Sequence, residues 1–155
     1  MAEVNGWVGV VPGHGSDESL RSISEGGREV LGLRMDISGR EHFTYARDGR
    51  VLVAFEPHQP DERSGDDPHV LDHLMHGLRF ELSIDDPGDL VEAPESISST
   101  LALIGRVTGT DMAADWFLAR HSSFRGRSCA GQVAVGVGGS EPIFTWSFCR
   151  AGGRP

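Results

Sequence analysis

The sequence predicts an α+β fold: an antiparallel β-meander with strands near 30–35, 42–46 and 51–55, packed by helices and followed by a C-terminal β-hairpin. Three observations carry this. Val30 to Met35, His42 to Ala46 and Val51 to Phe55 are successive strand-like runs with no helical stretch between them. Their joints, Ser38-Gly39 and Asp48-Gly49, suit two-residue turns that need positive φ. Downstream of Asp67 the apolar residues recur at helical spacing instead. A parallel sheet would need long crossovers where this chain has tight turns, so the antiparallel arrangement is favoured.

From the N-terminus, Trp7-Val8-Gly9-Val10-Val11 reads as a strand closed by Pro12. Ser16 or Asp17 then caps a helix through about Ser24, ended by Gly26-Gly27. If both turns are two residues long, Met35 pairs with His42, and His42 in turn with Phe55. One face then carries Leu31, Leu33, Met35, His42, Thr44, Ala46, Val51, Val53 and Phe55 and reads as the core. The other carries Val30, Arg34, Phe43, Tyr45, Leu52 and Ala54, an aromatic patch that needs a cover.

His58 to Asp67 reads as a polar loop, and from Asp67-Pro68 a helix is expected to about Leu78. Its apolar face is Val70, Leu71, Leu74, Met75 and Leu78, and its polar face includes His69, His73 and His76. Arg79 to Ile84 alternates like a strand, Ser96 to Val107 reads as a helix with Ile97, Leu101, Leu103 and Ile104 inward, and Thr110 caps a further helix to Arg120. Gln132 to Val137 and Ile143 to Phe148 form the expected C-terminal hairpin around Gly138-Gly139. Residues 1–155 are read as a single domain, of which 121–155 is a glycine-rich segment distinct in character.

Composition narrows function by exclusion. The chain has 155 residues and a formal net charge of −9, and all 14 of its basic side chains are arginine. Nucleic-acid binding is not expected, because phosphate neutralisation needs clustered cations in excess. The same acidity disfavours an anionic membrane surface. The N-terminus lacks the basic start and apolar core of a signal peptide, and no apolar run is long enough to span a bilayer, so a cytoplasmic location is expected. Without lysine, neither a Walker-type phosphate site nor Schiff-base catalysis is available. Cys129 and Cys149 are read as thiols rather than as a disulfide. No cofactor is expected.

Candidate chemistry rests on a few residues. His42, with Glu56 at the end of the next strand as a carboxylate partner, is the candidate acid–base group, since a buried imidazole titrates near neutrality; a satisfied, partly buried histidine is the plainer account. His69, His73 and His76, spaced four and three residues apart, share one helical stripe and are the candidate metal ligands, although the glutamate that would follow the first in a metalloprotease helix is replaced by Val70. A solvated helix face is the plainer account of that stripe. For partners, the candidates are the Phe43, Tyr45 and Leu52 patch and the acidic loop Glu56 to Asp67.

Phe43-Thr44-Tyr45-Ala46-Arg47-Asp48-Gly49-Arg50, Phe55-Glu56-Pro57 and Gly65-Asp66-Asp67-Pro68 before a leucine-bearing helix resemble an actinobacterial family of unknown function (DUF6461-like) over roughly residues 7–78. The resemblance implies the hairpin and an actinobacterial source, and implies no catalytic residues. The tail after about His121 is unlike the family. Two functional readings stand side by side: a small acidic protein-interaction module, immunity-like or accessory, and a small enzyme or ligand-binding protein with a pocket between sheet and helices using His42 and Glu56.

Overall fold

The computed structural model describes residues 2–4, 6–10, 16–35, 40–78, 80, 93–110 and 144–150. Among them, seven strands form one antiparallel sheet: β1 (Ala2–Val4), β2 (Trp7–Val10), β3 (Glu29–Met35), β4 (Glu41–Arg47), β5 (Arg50–Glu56), β6 (Gln59–Ser64) and β7 (Phe144–Arg150). Their spatial order is β1-β2-β7-β3-β4-β5-β6. The β3-β4-β5 meander is the one read from the sequence, and with the helices it makes the fold α+β. Helix α1 (Asp17–Ser24) lies on one face, and α2 (Asp72–Met75) and α3 (Ala93–Thr108) on the other. No helix among the described residues is long and apolar enough to cross a membrane.

The Asp48-Gly49 turn forms as expected, with Arg47 opposite Arg50 and both turn residues at positive φ (51° and 76°). The next residues depart from the simple ladder. Ala46 faces Val51 but Tyr45 faces Val53, so Leu52 is the extra residue of a β-bulge. The β3–β4 link is also longer than two residues, because Met35 pairs with Glu41 and Leu33 with Phe43. Each change shifts the register by one residue, and a one-residue shift exchanges the faces of a strand. The faces expected for β4 are therefore reversed. Phe43 and Tyr45 turn into the main core, whereas His42, Thr44 and Ala46 turn toward α1.

The main core joins Trp7, Leu31, Leu33, Phe43, Tyr45, Leu52, Val53, Phe55 and Phe148 of the sheet to Leu71, Met75, Phe80, Leu103 and Ile104. Phe43 and Phe55 pack with ring centroids 5.0 Å apart, and Phe80 meets Phe55 edge-on at 5.7 Å. The patch of Phe43, Tyr45 and Leu52 thus has its cover inside the chain, and all three side chains are buried. A smaller core on the opposite face holds Leu20, Val30, Ala46 and Cys149, with Ile23 and Val51 packed against it. Ser16 caps α1 by accepting the Ser19 backbone N–H at 3.2 Å.

Three further expectations change. The polar loop at 58–67 contains strand β6, in which Pro60 is buried and Asp61 and Glu62 are exposed, a pattern suited to a sheet edge. The helix expected from Asp67 to Leu78 contracts to α2. Its flanks are turns with three-residue hydrogen-bond spacing, such as Val70 N–H to Asp67 O and Asp72 N–H to His69 O, both 3.1 Å. The apolar residues still do what their spacing implied: Leu71 and Met75 are buried, and Val70, Leu74 and Leu78 pack against the core. At the C-terminus, β7 inserts between β3, along its whole length, and β2, which takes Ser147 to Arg150. The other half of the expected hairpin, Gln132 to Val137, lies outside the described residues. So do the 79–84 run apart from Phe80, the expected 111–120 helix and Cys129.

Candidate functional site

The reversal of β4 creates a row of polar groups on the α1 face. Arg34 on β3 pairs directly with His42 on β4. On β5, Glu56 follows the core residue Phe55, so alternation sends it to the same side as His42. Above this row sits Asp17, in the first turn of α1. Because Ser16 satisfies the cap, the Asp17 carboxylate is available to reach across to the sheet.

His42 Nε2 lies 3.1 Å from Asp17 Oδ1 and 3.2 Å from Oδ2, and Thr44 Oγ1 donates to Oδ1 across 2.6 Å. The bond from His42 holds the Asp17 carboxyl below its ordinary value of 3.8, helped by Thr44 and by the charges of His42 and Arg34, against partial burial. An ionised carboxylate only accepts hydrogen bonds, so Nε2 carries the hydrogen, and in the uncharged form of the ring the lone pair is on Nδ1. The His42 side chain is 24% exposed and that of Asp17 44%. The pair is thus partly shielded yet open to solvent on one side.

Glu56 does not bond His42 in this arrangement. Its Oε2 lies 3.2 Å from His58 Nε2 in the β5–β6 hairpin, and both side chains are close to half exposed. The face thereby joins Arg34, His42, Glu56 and Asp17, but the carboxylate that orients His42 is Asp17. A sequence reading that saw Asp17 only as a cap had no signal for this role, because the contact spans 25 positions and depends on the β4 register.

The remaining candidates are arranged differently. His69 Nδ1 meets Asp72 Oδ2 at 3.0 Å, and Asp72 also accepts from Arg63. His73 sits within the short α2 and His76 just after it, so the continuous stripe that spacing suggested is absent from this turn-rich segment. Among the described residues, no three His, Cys, Asp or Glu side chains are grouped to hold a metal ion. In the 56–67 segment Asp66 accepts from Arg50 Nε at 2.7 Å.

With this geometry in view, comparison with known proteins is informative about family alone. A model of a family of unknown function, DUF6461, matches residues 1–126. The chain belongs to the DUF6461 family. The match takes in every residue of the polar row and extends well beyond the 7–78 stretch whose motifs suggested it, while β7 lies outside it. No match was found among curated proteins or among solved structures.

Proposed function

We propose that this DUF6461 chain is a small ligand-binding protein or enzyme that works at the polar row between the sheet and α1, with His42 as the proton-transferring group. The observation that carries the reading is the half-shielded His42 imidazole, oriented through Nε2 by Asp17. A ring held in one tautomer, with its basic nitrogen not committed to the carboxylate, is prepared for general acid–base work or for receiving a ligand's hydrogen-bond donor. Glu56 and Arg34 supply opposite charges on the same face, which favours a polar ligand over an apolar one. In the same reading the protein is cytoplasmic and of actinobacterial origin.

The test is a ligand-observed NMR screen of polar metabolite-like compounds against the intact protein and His42→Gln. Compounds that bind the parent, shift the His42 ring signals and are lost in the variant support the site. Binders that leave those signals unmoved, or equal binding by a folded variant, overturn it.

A second reading, that of an acidic interaction module, is favoured by one observation. Strand β6 is the last in the sheet, and its exposed Asp61 and Glu62 have no ion-pair partner among the described residues. Its partner would be a basic protein surface. Asp61→Arg with Glu62→Arg should then abolish capture of that partner while His42→Gln leaves it intact.

A further inference from the structure

Glu41 is the one carboxyl among the described residues that the fold buries nearly completely, at 3% exposure, and the polar row makes no use of it. It opens β4 on the face opposite His42, across from Met35, and lies beneath α3. Ser96, in the first part of that helix and itself buried, donates its hydroxyl to Glu41 Oε2 at 3.0 Å. The contact joins positions 55 residues apart and is a polar fastening at the end of α3 where the chain enters the helix. Further along, α3 is held by apolar packing of Leu103 and Ile104, and by Arg106, which donates to the carbonyls of Leu74 and His76.

We propose that Glu41 and Ser96 form a proton-controlled latch: with Glu41 neutral, the N-terminal half of α3 is seated on the sheet, and ionisation of Glu41 loosens it. The physical reason is the cost of keeping a carboxylate out of water with, among the described residues, one hydroxyl donor in place of its hydration shell. A neutral acid accepts the same Ser96 bond without that cost. Among the described residues, His58 in the β5–β6 hairpin acts on Glu41 through its charge, Arg40 precedes Glu41 on the chain and Glu95 precedes Ser96 on α3, while Arg34 and His42 leave the sheet on the other face. Burial raises the Glu41 carboxyl above its ordinary 4.5, opposed by the Ser96 bond and the charge of His58. The sign follows: a group whose value is raised on folding stabilises the closed state below its unfolded value, and that contribution is lost as pH rises through the folded one.

Amide hydrogen exchange of the full chain, read at α3 and corrected for the intrinsic rate, tests the latch. Protection of α3 should fall by up to about tenfold per pH unit above the ordinary glutamate range, the limit for release of one proton, while β3 and β4 stay protected. Glu41→Gln, a neutral isostere that still accepts from Ser96, should make α3 protection independent of pH. Parallel profiles for the parent and this variant overturn the proposal. If the variant does not fold, a carbon-13 titration of the Glu41 carboxyl in the parent decides: a midpoint above the ordinary value supports the latch, and one at or below it overturns it. Glu41 and His42 occupy opposite faces, and exchange at α3 and ligand binding at His42 are separate readouts, so failure of the latch is distinguishable from failure of the polar-row reading.

Discussion

Thr44 Oγ1 donates to Asp17 Oδ1 across 2.6 Å, beside the two contacts that His42 Nε2 makes with the same carboxylate. Two adjacent groups on one strand face thus converge on one helical residue. They fasten the N-terminal turn of α1 to β4, while Leu20 and Ile23 anchor the rest of the helix by apolar contact. The geometry that orients the imidazole is also what holds the helix.

Asp17→Asn should therefore loosen α1 and lower stability by about 1 kcal/mol, a modest figure for a charge-assisted cluster because the side chain is partly exposed and screened. Its pH dependence has a definite sign. Asp17 is held below 3.8 in the folded state, so its contribution is present above that value and is lost as pH falls through the lowered one. Urea midpoints compared at about pH 6 and about pH 3 should differ less in the variant than in the parent.

Gly65 sits at φ 124°, and a Cβ there would lie 2.3 Å from the carbonyl oxygen of Leu52. The approach is this close because Asp66 and Asp67 donate their backbone N–H groups to Val51 and Leu52, closing the segment after β6 onto the bulge. Neither backbone can yield without breaking those bonds. Gly65→Ala should cost about 3 kcal/mol or more, read as a lowered denaturant midpoint with an unchanged slope.

Gly32 meets a softer neighbour. A Cβ added there would approach Leu20 Cδ1 to 2.5 Å, the far end of a flexible side chain on α1. Gly32→Ala alone should cost about 1–3 kcal/mol by overpacking, and Leu20→Ala alone about 2–5 kcal/mol by leaving a cavity. Since the new methyl occupies part of that cavity, the double variant should be more stable than the two separate losses imply, and a double-mutant cycle by chemical denaturation measures the coupling.

Phe43→Ala provides the check on the reversed faces of β4. Phe43 is fully buried and packed against Phe55, so truncation should cost about 3–5 kcal/mol. A surface aromatic would lose almost nothing, and a thermal unfolding shift of only a degree or two would contradict this register.

Much of this fold is legible in the sequence because it is encoded locally. Ser16 before Asp17 and Gly26-Gly27 after Ser24 mark both ends of α1, and Asp48-Gly49 marks the hairpin. Apolar spacing also identified the buried positions at Leu71 and Met75, although the backbone there is mostly turn. The candidate site was legible only in part. Strand alternation directs His42 and Glu56 to the same side, but no hydrogen bond joins them, and their partners, Asp17 and His58, follow from packing that no local pattern reports.

Residue order alone located the central strands β3, β4 and β5, helix α1 with both of its ends and the tight turn at Asp48-Gly49, and it showed that this lysine-free sequence supplies no Schiff-base amine. Only the tertiary structure decided which way β4 faces. A single extra residue at Leu52 and a longer β3–β4 link shift the pairing by one, with no change in any segment's propensity. Side chains alternate along a strand, so that small shift buries Phe43 and Tyr45 and turns His42 toward Asp17. Burial of the two aromatic rings under α2 and α3 is what makes this register the stable one, and the polar row is its consequence.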